Sequence, residues 1–135
     1  MNVDEVIKDV DYRHVIQLFD LICASHSDPF VMTEMYCRMK ERQHADNGDE
    51  YFILLQPIQI LHRIENVAPQ TAASEVDPVI FHWIAQMYLF ALYSLGLTFR
   101  LASEEASPRW LYEHYSPLHE TSLANAWEKI RLQTD

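Results

Sequence analysis

The chain has 135 residues, a formal net charge of −10, two cysteines and only two glycines, Gly48 and Gly96. So few glycines exclude the Gly-rich phosphate loops of P-loop and dinucleotide-binding folds and argue against an all-β chain of tight turns. The acidic balance is a poor match to a phosphate backbone, which needs a Lys/Arg surface. At this length one domain, 1–135, can build a core without metal or disulfide staples.

Apolar residues from Asp4 to about Ala24 (Val6, Ile7, Val10, Val15, Leu18, Phe19 and Ile22) recur at helical spacing, with a break expected near Asp11. Ser27 or Asp28 before Pro29 marks a second helix start, Pro being tolerated in a first turn. That helix is expected to run to about His44, with Met32, Met35, Tyr36 and Met39 on its core face. A Met stripe also suits an adaptable binding surface, but Met commonly fills irregular gaps in a core. Ala45-Asp46-Asn47-Gly48-Asp49 reads as a turn. Tyr51 to Ile64 is expected to be helical with a kink at Pro57, because Tyr51–Leu55 has no second strand to pair with. Asn66 to Asp77 is the longest expected loop. There is no internal repeat and no low-complexity tract.

Val79 to Phe99 runs without one Lys, Arg, Asp or Glu, long enough to cross a bilayer. Its polar residues and scattered aromatics, and flanks lacking a Lys/Arg-rich side, favour a buried helix inside a soluble protein. This central helix is expected over about 78–102, with Trp83, Ile84, Phe90 or Leu92 inward. At about 100° per residue, His82, Gln86, Tyr93 and Arg100 fall on one narrow stripe with Leu89 and Gly96. The stripe is read as the one wet edge of the helix. Its sharper alternative is a binding or homodimer face on which Gly96 allows close approach. Ser107-Pro108 then opens a short aromatic helix, Arg109 to about Tyr115, ended by Pro117, and a last helix spans about Glu120 to Leu132. The fold class is therefore all-α: a single-domain bundle of five to six helices around the central one.

No catalytic or metal motif accompanies this pattern. Asp11-x-x-His14 and His62-x-x-Glu65 fall short of the paired Glu-x-x-His of di-iron bundles, and there is no His-Glu-x-x-His or Gly-x-Ser-x-Gly. No metal and no cofactor is expected. Cys23 and Cys37 lie in apolar helical patterns and read as core residues of a reducing compartment. The first residues carry neither a basic region nor an apolar signal core, so a cytoplasmic location is expected.

Charge points to a partner. Acids are spread along the chain, while Arg38, Lys40 and Arg42 form the only basic cluster. The expected function is a small acidic protein-binding module, most concretely an immunity, anti-defence or antitoxin-like inhibitor of a basic protein. The candidate surface is Asp4, Asp9, Asp11 and Asp20, or the acidic-aromatic tract at Glu104, Glu105 and Glu113. A second class of reading rests on Arg109-Trp-Leu-Tyr-Glu-His114, which resembles the Arg-x4–6-His motif of HEPN ribonucleases. The resemblance implies a metal-independent nuclease with His114 as general acid/base and Arg109 stabilising the charged transition state. Trp110 stands where that family usually has a polar residue, and Arg38 to His44 fits the same loose spacing.

Overall fold

The computed structural model describes residues 3–69 and 75–133, and among them every regular element is helical. There are ten: α1 (Val3–Cys23), α2 (Pro29–Arg38), α3 (Lys40–Asp46), α4 (Glu50–Ile53), α5 (Pro57–Val67), α6 (Pro78–Leu95), α7 (Phe99–Glu105), α8 (Pro108–Glu113), α9 (Tyr115–Leu118) and α10 (Leu123–Gln133). The excess over five or six comes from breaks inside the second, third and central expected helices and from α9, which the sequence pattern does not predict. α4 and α9 are single turns.

Most starts are capped as their residues dictate. Asp28 accepts the Phe30 N–H and Asp77 the Val79 N–H, each at 2.9 Å, with Pro29 and Pro78 in the first turn. Thr98, Ser107 and Ser122 accept from Leu101, Trp110 and Asn125 in the same way.

The second expected helix breaks at Met39, which is extended (φ −71°, ψ 154°) between α2 and α3. No Pro or Gly marks that break. The central helix is shorter than expected. Gly96 takes the left-handed conformation (φ 70°), and the Leu97 N–H closes on the Ala91 carbonyl at 2.9 Å, so α6 ends at Leu95 and Arg100 lies on α7. Conversely, α1 passes Asp11 without a break. Of Tyr51–Leu55, Tyr51–Ile53 are helical, in the single turn of α4, which Leu54–Gln56 separate from α5. Pro57 opens α5 instead of kinking a longer helix. Pro117 sits inside α9 and does not terminate a helix there. The loop expected from Asn66 begins only after Val67, and its residues 70–74 lie outside the described ones.

α6 is the axis of the core and packs against α1, α7, α8 and α10. Phe81, Ile84, Met87, Tyr88 and Leu89 are fully buried along it, which accounts for its apolar character. Each such side chain contributes about 1.5–3 kcal/mol relative to exposure. Trp83 is buried too, whereas Phe90 and Leu92 are only half-buried. Two buried polar tips find backbone partners: Tyr88 O–H donates to Ala106 O at 2.7 Å and Trp127 Nε1–H to Met87 O at 2.9 Å. The Met stripe of α2 belongs to this core: Met32 is buried, with Met35 and Met39 packed against it.

Gly96→Ala tests the cap. A Cβ there meets nothing within 4 Å, so any cost comes from the left-handed backbone alone. We expect urea unfolding to show a loss of about 1 kcal/mol. A gain would mean that the helix runs on through residue 96.

Candidate functional site

The four candidate aspartates of α1 do not share a face. At about 100° per residue, Asp4 and Asp11 point one way and Asp9 and Asp20 nearly opposite. Asp4, Asp9 and Asp20 are exposed, but Asp11 is 2% exposed and cannot belong to a docking surface. It occupies the inward stripe with Val15, Leu18 and Ile22.

Its partner is Arg42, 1% exposed, and so withdrawn from the expected basic cluster with Arg38 and Lys40. The guanidinium grips Asp11 with both terminal nitrogens, Nη1 to Oδ1 and Nη2 to Oδ2, each at 2.9 Å. Its Nε–H donates to Asp46 Oδ1 at 2.7 Å, one helical turn on, and Nη1 also donates to the Tyr36 hydroxyl at 3.0 Å. The group lies over the Phe99 ring, 4.2 Å from its centroid. Around this centre, Tyr93 O–H donates to Asp11 Oδ2 at 2.5 Å and the Phe99 N–H to Asp46 Oδ2 at 2.9 Å. Lys8 sits over the stacked Tyr12 and Tyr93 rings.

One cation thus holds two carboxylates. Burial pushes the Asp46 carboxyl above its usual value, against the pull of Arg42 and the Phe99 N–H. Burial first, then the Asp11 charge, pushes the Tyr93 phenol up, which keeps it a donor. Burial opposes the charge on Arg42, but the surrounding groups outweigh it and hold the guanidinium charged. The cavity beside the cluster, lined by Asp11, His14, Tyr36 and Arg42 among others, measures about 20 Å³. That is room for about one water. On its other side Asp46 and Tyr93 also line a more open cleft of about 220 Å³. The cluster's sequence signal was an acid on the apolar stripe of α1, together with an Arg–Asp pair at i, i+4 on α3.

The other candidates are dispersed. His82 is exposed, Gln86 is half-buried, Tyr93 is bound to Asp11, and Arg100 pairs with Glu104 on α7 at 3.3 Å. They form no continuous edge, because α6 stops before Arg100. In the acidic-aromatic tract, Glu105 pairs with Arg131 while Glu113 is exposed. Arg109 lies over the Phe30 ring (4.4 Å) and reaches Asp28 at 3.8 Å. His114 stacks on Trp110 (3.9 Å), its Nδ1–H donating to the Trp110 carbonyl at 2.8 Å. The two are held by different neighbours. Burial pushes both thiols up, Cys23 to about 12, so neither is a thiolate at neutral pH. Among the described residues no group of three or more His, Cys, Asp or Glu is placed to hold a metal.

Two measurements test the cluster. Arg42→Ala leaves two buried carboxylates without their cation and should cost about 3–5 kcal/mol in urea unfolding. The Asp46 shift predicts a pH dependence. A carboxyl whose folded value is raised binds its proton more tightly when folded, so its contribution to stability is full below pH 3.8 and is lost as pH rises through the raised value. Unfolding free energies from pH 3 to 7 should therefore fall more, or rise less, with pH in the wild type than in Asp46→Asn. Identical slopes would show that Asp46 is not perturbed.

No protein-family model, no curated protein and no solved structure matches this chain. Its functional reading rests on the geometry.

Proposed function

We propose that the protein is a small acidic binding module for another protein, most concretely an inhibitor of the immunity, anti-defence or antitoxin type that acts on a basic partner. The observation that supports this reading is where the cations sit. Of the ten Lys and Arg, Arg42 is buried between Asp11 and Asp46, Arg63, Arg100, Arg109 and Arg131 are each paired with an acid of this chain, and Lys8, Arg13, Arg38, Lys40 and Lys129 are exposed. Asp4, Asp9, Asp20, Glu34, Glu50, Glu65, Glu113, Glu120 and Glu128 remain exposed. The solvent-facing charge is thus set by carboxylates, which speeds encounter with a positive surface and opposes a polyanion. Asp4 and Glu50 share the rim of a cleft of about 220 Å³ near the N-terminal end of α1, where a partner's Lys or Arg would meet both.

Capture from the native host is the direct test. The tagged chain should retain one stoichiometric basic protein at low salt, and a double variant Asp4→Lys, Glu50→Lys should lose it by about tenfold or more. These side chains are exposed, so the variant should keep its fold. Retention unchanged by charge reversal would refute the electrostatic basis. RNA incubated with the pure protein should stay intact; cleavage that disappears in His114→Ala would replace this reading with the nuclease.

A further inference from the structure

The narrow cavity beside the Arg42 cluster measures about 20 Å³, and its polar lining is Asp11, His14, Tyr36, Glu41 and Arg42. Tyr36 is 6% exposed, and its hydroxyl has one hydrogen-bond partner among the described residues, Arg42. In that bond Arg42 Nη1–H donates at 3.0 Å, and a guanidinium has no acceptor to offer in return. The hydroxyl's own hydrogen is thus buried with no acceptor among the described residues. Burial also pushes the Tyr36 phenol above its usual value, so that hydrogen stays on the oxygen. A buried donor in this condition costs free energy unless something accepts from it.

We propose that this cavity binds one water molecule, which accepts the Tyr36 O–H and donates to side chains of α1 and α3. Size and charge select the ligand. The space suits about one water and is too small for an organic group. The Arg42 guanidinium and the phenol hydrogen repel a cation. Asp11 and Asp46, two carboxylates on one guanidinium, repel an anion. A neutral molecule that both accepts and donates satisfies the site.

Acceptors line the same space. His14 Nδ1–H donates to the Ile53 carbonyl at 2.9 Å, which leaves the Nε2 lone pair of a neutral ring to accept. Glu41 gives Oε2 to Arg63 at 3.3 Å, leaving Oε1. A water between Tyr36 and these two groups has three partners, within the roughly two to four that a buried water takes. It joins α1, α2 and α3 at a second point beside Arg42. Through Glu41 and Arg63 the network then reaches α5.

A crystal structure of the full chain at about 1.5 Å, where water oxygens are seen and hydrogens are not, tests this. One water should lie about 2.7–2.8 Å from Tyr36 Oη and within hydrogen-bond distance of His14 or Glu41. Tyr36→Phe keeps the ring and removes the hydroxyl, so the cavity should lose that water while the helices stay in place. The parent decides by itself if the variant does not fold. Its Leu18 and Ile60 methyl groups, from residues that line the cavity, should show a nuclear Overhauser effect from water with the sign of a bound molecule. A parent with neither the ordered water nor that effect would overturn the proposal. So would a Tyr36 O–H that donates directly to a carboxylate, or a water that persists unchanged in Tyr36→Phe.

Discussion

Arg42 carries a charge where water does not reach, and the arrangement of five helices follows from how that charge is satisfied. Its planar fork accepts Asp11 only in one orientation, which fixes α3 against α1. The same group takes the Tyr36 hydroxyl from α2. Asp46 holds the guanidinium and also receives the first N–H of α7, so the start of that helix is tied to the same centre. Tyr93 brings α6 into the network through Asp11. Such a cluster is not where most of the folding energy resides, since desolvation offsets much of its attraction. The apolar residues around α6 supply that. What the directional bonds add is a single way of packing helices that hydrophobic contact alone would let slide.

The unequal stoichiometry, one guanidinium for two carboxylates, explains the remaining donors. Tyr93 O–H and the Phe99 N–H each point at a carboxylate oxygen and share the surplus negative charge. Perturbed titratable groups gathered in one place are also the common mark of an active site. Here Arg42, Tyr93 and the Phe99 N–H each donate to a carboxylate of the cluster, and among the described residues no buried side-chain polar atom lacks a partner. Burial is the largest cause of the Asp46 and Tyr93 shifts.

The helical class and most helix starts were legible because they depend on local chemistry: Asp28-Pro29, Asp77-Pro78 and Ser107-Pro108 cap the helices they precede. Breaks were harder to read. At Met39 nothing in the local sequence opposes a continuous helix, and the turn there is the one that lets Arg42 face Asp11. Gly96 could be read as a packing glycine within a long helix or as its terminator; helical periodicity does not distinguish the two, and the left-handed cap decides. Asp11 misled in the other direction. A charge in an apolar stripe looks like a helix break until its partner, thirty-one residues on, is known. The stripe from His82 to Arg100 assumed one unbroken helix, and the cap at Gly96 puts Arg100 on α7.

Burying Arg42 also changes what the protein shows to its surroundings. The chain's one sequence-local basic cluster is reduced to Arg38 and Lys40, and four further arginines lie beside their own acids. Positive character at the surface is therefore local. α10 carries more bases than acids, whereas the end formed by α1 and α4 presents Asp4 and Glu50 around a cleft in which Lys8 is the only Lys or Arg among the described residues.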